Sequence, residues 1–185
     1  MLTPLQIKKQ THFYNILDFD NNGAIERDDF EAIGENLCII RDFDMDTPEY
    51  DTVLAMTDGI WKTLTPYVKD GKGTLQQWLQ FMTVLLDPKN EESYKKYVTS
   101  FVSMLFKLFD INDDKEISQT EYIDLFIGMR IEVRFAPKAF RALDTNGDGK
   151  LSHRELIQSV DEFMRSDNPN TPGNWLFGGW ESSTI

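Results

Sequence analysis

Asp144, Asn146 and Asp148 stand at positions 1, 3 and 5 of a twelve-residue stretch that ends on Glu155. Each offers a side-chain oxygen to a common centre. Gly149 at position 6 permits the sharp bend that turns the chain around that centre, and Lys150 at position 7 offers its backbone carbonyl. Ser152 at position 9 can hold a water, and Glu155 at position 12 closes the shell with two oxygens. Leu151 at position 8 is the apolar residue through which one such loop pairs with another in a short two-stranded ladder. An acidic surface turn has no use for a glycine at 6 and a glutamate at 12 together. The stretch is therefore a cage for a hard divalent cation, and it must be flanked by helices.

This is the pattern of an EF-hand calcium loop, and it recurs. A second good loop runs from Asp110 to Glu121, with Asp110, Asn112, Asp114, the Glu116 carbonyl, Ser118 through water and Glu121 as its ligands and Ile117 in the apolar slot. Lys115 replaces the position 6 glycine, which forces a left-handed backbone at a cost of roughly 1 kcal/mol but removes no ligand. The first loop runs from Asp18 to Asp29. Asp18, Asp20 and Asn22 are side-chain ligands, Gly23 is the bend, Ala24 gives a carbonyl and Ile25 is the apolar residue. Asp29 at position 12 is one methylene shorter than glutamate, so capture of the ion by two oxygens is harder. A six-coordinate, magnesium-tolerant site is expected, with Glu26 at position 9 available to compensate directly or through water.

A fourth repeat is broken. Placing Gly73, Thr74 and Leu75 at positions 6 to 8 puts Val68, Asp70 and Lys72 at 1, 3 and 5 and Leu79 at 12. Three side-chain ligands are lost, so this hand is expected to be empty and to serve by pairing with the first. Asp42, Asp44 and Asp46 imitate the pattern, but Thr47, Pro48 and Glu49 then fall at positions 6 to 8. That stretch reads as a linker with Thr47 as helix cap and Pro48 at the first helical position.

Helical segments are predicted on both sides of every loop: 5–17, 27–40, 49–64, 75–86, 91–109, 122–129, 136–143 and 155–164. Val98, Phe101, Val102, Leu105, Phe106 and Phe109 recur at helical spacing, and aromatics precede each good loop (Phe13, Phe106, Phe109, Phe140), all read as core. The fold class is all-α: four EF-hand helix-loop-helix units in two tightly packed lobes. Residues 1–88 form an N-terminal pair, 89–165 a C-terminal pair, and 166–185 a tail that packs on the body.

The chain carries 31 acidic and 19 basic side chains, a net charge of −12. Carboxylate repulsion in the loops is relieved by metal, and three calcium ions halve the total. The acidity argues against nucleic acid and anionic membranes as partners. The lone cysteine, Cys38, lies in an apolar run and is read as core. Thr3 and Pro4 read as a helix start. With no leader, no membrane-length apolar run and no myristoylation pattern, the expectation is a cytoplasmic protein, and the acidic surface with the apolar tail makes a monomer the simpler expectation.

Four hands with the second degraded, a long interval from the first loop to the second and a short one from Asp110 to Asp144 resemble the sarcoplasmic calcium-binding proteins. That group includes the bacterial calerythrins, and calexcitin is a relative. The stretch from Asn168 through Trp175, Leu176 and Phe177 to Gly178 is similar to that family's closing segment. The resemblance implies a compact globule of apposed lobes, calcium in the first, third and fourth hands, and a role as a calcium and magnesium buffer. Photoproteins and luciferin-binding proteins share the architecture. His12 stands where photoproteins place a luciferin-contacting histidine, but the other histidine, His153, lies inside the fourth loop, and the aromatic cluster and terminal proline of photoproteins are missing. His12 is read as a packed helix residue.

A sensor opens on calcium and exposes a methionine-rich groove to a target. The seven methionines here are dispersed over different helices, and Trp175-Leu176-Phe177 offers an apolar plug from within the chain. The preferred reading is calcium buffering with magnesium as competitor. A protein-target sensor ranks second and a small-molecule carrier third. No Cys-His or Ser-His pairing supports an enzyme.

Overall fold

The computed structural model of the protein describes residues 1–182. Eight α-helices follow one another: α1 (Pro4–Leu17), α2 (Arg27–Ile40), α3 (Pro48–Leu64), α4 (Leu75–Leu85), α5 (Glu91–Phe109), α6 (Gln119–Gly128), α7 (Ala136–Leu143) and α8 (His153–Arg165). Side-chain caps set the starts of α1, α3, α4, α6 and α8. Thr3 Oγ1 accepts from the Gln6 amide at 3.2 Å and Gln6 Oε1 accepts from the Thr3 amide at 3.0 Å, with Pro4 in the first turn. Thr47 caps α3 in the same way, its hydroxyl accepting from the Tyr50 amide at 3.3 Å. Two helices begin earlier than predicted, α6 by three residues and α8 by two. Ser118 and Ser152 accept from the Glu121 and Glu155 amides, each at 3.3 Å, so α6 and α8 both start at loop position 10.

The loops meet in pairs. Strand β1 (Glu116–Ser118) runs antiparallel to β2 (Lys150–Ser152), with Ile117 opposite Leu151. Ile25 meets Gly73 across two bonds, Ile25 N to Gly73 O at 2.9 Å and Gly73 N to Ile25 O at 2.8 Å. That pairing corrects the predicted register of the broken hand by two residues. Gly73, not Leu75, faces the position 8 residue of loop one. Thr74 caps α4 with Gln77 as its reciprocal partner, as Ser118 and Ser152 do with their glutamates. Positions 1, 3 and 12 are then Pro66, Val68 and Gln77, and Lys72 stands at position 7. The cause is a tight turn. Asp70 and Gly71 both take positive φ (54° and 75°), and Lys69 and Lys72 exchange backbone bonds at 3.0 and 3.2 Å. Asp-Gly is the sequence that such a hairpin favours.

The two lobes share one continuous core that contains Phe13, Phe30, Val102, Phe126 and Phe163. Helix α1 packs on α4 and also on α8, and α2 packs on α3 and also on α6. The α2–α6 approach is close because Gly128 has no side chain. A Cβ there would lie 2.4 Å from Leu37 Cδ2, while Asn36 Nδ2 donates to the Gly128 carbonyl at 2.8 Å. Two arginines latch the lobes reciprocally. Arg130, just past α6, lies 3.9 Å over the Phe19 ring and donates to its carbonyl at 3.3 Å. Arg41, just past α2, donates to the Leu108 carbonyl at the end of α5.

The segment after α8 folds back into the body. Phe177 is 1% exposed, stacks on Phe13 at 4.4 Å and meets Phe163 edge-on at 5.0 Å. Lys9 on α1 is fully buried, and its ammonium donates to Glu162 O, Ser166 O and Asn174 Oδ1 at 3.0, 2.9 and 2.7 Å. A buried charge is tolerable only when its hydrogen-bonding capacity is met, and here all three donors are used. Burial still pulls Lys9 down to about 8, against the raising fields of Asp167 and Glu162. His12 Nε2 lies 2.8 Å from the Phe177 carbonyl, which makes it a packing partner of this segment. Cys38 is buried.

Candidate metal centres

Each good loop is wound around its first aspartate. In loop one, Asp18 Oδ1 accepts from the Asn22 amide at 3.0 Å and Oδ2 from the Gly23 amide at 2.9 Å. In loop three Asp110 takes the amides of Asp114 and Lys115 (3.1 and 3.0 Å), and in loop four Asp144 takes those of Gly147 and Gly149 (2.8 and 2.9 Å). Position 3 and 5 side chains are drawn inward by the same means. Asp20 Oδ1 accepts from Asn22 N, and Asn112 and Asn146 accept from the amides of Asp114 and Asp148. Lys115 adopts the left-handed backbone that its position demands, φ 68°, beside Gly23 at 89° and Gly149 at 83° in the other two loops.

The closing carboxylates are held from two sides. Glu155 Oε1 accepts from the Thr145 and Asn146 amides (3.0 and 3.3 Å), and Oε2 from Ser152 N and Oγ (2.9 and 2.7 Å). Glu121 receives Ile111 N at 2.8 Å and Ser118 N at 2.7 Å. Burial acts to raise both glutamates, but these donors, led by Ser118 and Ser152, outweigh it and hold them below the usual range. Asp29 differs. It accepts from Phe19 N (2.9 Å), Asp20 N (3.3 Å) and Glu26 N (2.7 Å), yet burial prevails and, with the Asp20 charge, raises it.

Among the described residues, the one group of three carboxylates gathered within 4.8 Å is Asp18, Asp20 and Asp29. The acids of loops three and four are not drawn so close. An asparagine takes position 3 in both, and Lys150 bonds Asp114 Oδ2 at 3.1 Å and Glu116 Oε2 at 2.5 Å. The predicted donors are oxygens throughout, with no thiol or imidazole among them, and this set fits calcium or magnesium. Residues 42–46 form no comparable group.

The lysines between loops are what the sequence reading missed. Lys72 Nζ lies 2.8 Å from Glu26 Oε1, and Asn22 Nδ2 donates to Glu26 Oε2 at 2.9 Å. Glu26 is held below its usual range by Lys72 and then by Asn22. Under Glu26 the loop pair is buttressed by Tyr14, whose hydroxyl meets the Gly23 and Gly73 carbonyls at 2.9 and 3.0 Å. The signal in the sequence is a lysine at position 7 of two hands, legible only after the register of the second is known.

No protein-family model matches the chain. The calerythrin of Saccharopolyspora erythraea is 29% identical over 149 residues, 79% of this chain and 84% of that one. The coelenterazine-binding protein of Renilla muelleri, in its calcium-loaded apo form, superposes with a TM-score of 0.75 at 18% identity, over 96% of this chain and 99% of that one. At that identity the likeness shows the fold alone. The sarcoplasmic calcium-binding protein of the worm Hediste diversicolor is 30% identical over 176 residues, 95% of this chain and 97% of its own. With its paired loops, its degraded second hand and a match that runs through both lobes, the chain belongs to the sarcoplasmic calcium-binding protein family.

Proposed function

We propose that the protein is a calcium and magnesium buffer that takes three ions, in loops one, three and four. Asp18, Asp20, Asn22, the Ala24 carbonyl and Asp29 hold the first. Asp110, Asn112, Asp114, the Glu116 carbonyl and Glu121 hold the second, and Asp144, Asn146, Asp148, the Lys150 carbonyl and Glu155 the third. The function is binding, without bond chemistry. The observation that carries the buffer reading is the docked segment after α8. A sensor must offer apolar surface when loaded, whereas Phe177 fills the interior between Phe13 and Phe163 from within the same chain. The short Asp29 suits a loop that rests on magnesium.

A calorimetric calcium titration with and without millimolar magnesium tests this. The expected result is about three sites whose apparent calcium affinity falls in magnesium. About two sites indifferent to magnesium refute it.

One observation favours a second reading, that of a carrier. A cleft of about 420 Å³ lies between α3 and α5, and it shares Ile60, Thr63, Tyr97, Phe101 and Met104 with a mostly apolar cavity of about 50 Å³. The fold neighbour from Renilla is named for binding coelenterazine. Organic extraction of the purified protein, followed by mass spectrometry, separates the two: a stoichiometric small molecule favours the carrier.

A further inference from the structure

Loop one is short of oxygen. Asp29 has less reach than a glutamate, and both its oxygens already accept backbone amides. The spare carboxylate nearby is Glu26. It stands one hydrogen bond from the cluster, because Asn22 Nδ2 donates both to Asp20 Oδ2 and to Glu26 Oε2, each at 2.9 Å. Its other oxygen is held by Lys72 at 2.8 Å. Lys72 is not free to wander at its root. Its backbone is fixed by the turn with Lys69, and the next residue, Gly73, is bonded twice to Ile25.

We propose that Lys72, supplied by the hand that lost its own ligands, keeps Glu26 out of the coordination shell of loop one and thereby sets that loop's choice between magnesium and calcium. The choice depends on ligand number. Magnesium demands six oxygens in a tight octahedron, whereas calcium accepts six to eight at longer and looser distances. With Glu26 detained, the loop's donors and water complete a six-fold shell that suits both ions. With Glu26 released, a further charged oxygen becomes available, which calcium accommodates and magnesium does not. The lysine at position 7 of loop four makes the parallel contact to Asp114 and Glu116, so reaching across the pair is a feature of both lobes. The inference rests on loop one taking a metal.

The test is a set of full-length variants followed by amide NMR during separate calcium and magnesium titrations. The Gly23 amide, bonded to Asp18, reports loop one alone. Lys72→Met keeps the length of the side chain and removes its charge. It should raise the magnesium-to-calcium ratio of dissociation constants at loop one severalfold, because ligand charge count tunes these affinities. Lys72→Arg should restore the original ratio. In a Glu26→Gln background, Lys72→Met should leave the ratio unmoved. An unchanged ratio in Lys72→Met overturns the proposal, and so does an equal shift with and without Glu26, which would make Lys72 only a distant charge. A Gly23 amide that answers neither metal in the unaltered chain overturns the reading of loop one, and this inference falls with it.

Discussion

Replacing Phe177 by alanine removes the side chain that joins the segment after α8 to both lobes. The ring is 1% exposed, stacked on Phe13 at 4.4 Å and edge-on to Phe163 at 5.0 Å. Burial of a phenylalanine side chain contributes about 2–3 kcal/mol, and each close aromatic pair adds about 1 kcal/mol. The site also borders the apolar cavity of about 50 Å³, so the space left behind enlarges an existing hole and does not close. The expected loss is therefore about 4 kcal/mol, within the range for Phe→Ala in cores. For a chain of this size that lowers the melting midpoint by roughly 8–16 °C. Urea unfolding at fixed calcium, read by far-ultraviolet dichroism, measures the loss directly. Trp175→Ala is the control, because Trp175 is only half-buried, with the Lys138 ammonium over its ring at 3.5 Å. A loss below about 1 kcal/mol for Phe177→Ala, or one equal to the control, would refute the docking and the self-filled interior built on it, since burial alone is worth more than that.

Other expectations follow from single contacts. Burial pushes the His12 ring below its ordinary 6.5, against the raising effect of the Phe177 carbonyl. The unfolded chain then binds a proton that the folded chain refuses. Stability present above 6.5 is lost as pH falls through that value toward the folded pKa, and His12→Gln should flatten this part of a urea-midpoint profile taken from pH 7.5 to 5.5. Gly173→Ala places a Cβ 2.5 Å from the Ser159 carbonyl oxygen, which is backbone and cannot give; a loss of about 1–3 kcal/mol by thermal unfolding is expected, and a neutral result would mean that the turn before Asn174 sits farther from α8. Lys115→Gly relieves the left-handed strain at φ 68° and should tighten calcium binding in loop three by roughly fivefold in calorimetry; unchanged affinity would show that the strain is absent from the binding step.

Helix order and the pairing of Ile117 with Leu151 were legible because they are written in side-chain chemistry at fixed local spacing. The second hand was not. Its pairing with Ile25 uses only the backbone of Gly73, so no apolar side chain marks position 8, and Leu75 is the nearest residue that imitates one. The earlier starts of α6 and α8 were present as Ser118-x-x-Glu121 and Ser152-x-x-Glu155, two capping boxes overlooked because the same residues read as ligands. Lys9 could not be read as buried at all. A lysine in an amphipathic helix reads as solvated, and its partner Asn174 lies 165 residues away.

That separation has a consequence for synthesis. Helix α1 precedes the groups that satisfy Lys9 by 153 to 165 residues, and Phe177, which stacks on Phe13, comes later still. At the usual pace of 5–20 residues per second, α1 is exposed for roughly 8–33 s before Asn174 and Phe177 leave the ribosome. Through that interval the Lys9 ammonium lacks the Asn174 amide oxygen and Phe13 lacks the ring that stacks on it.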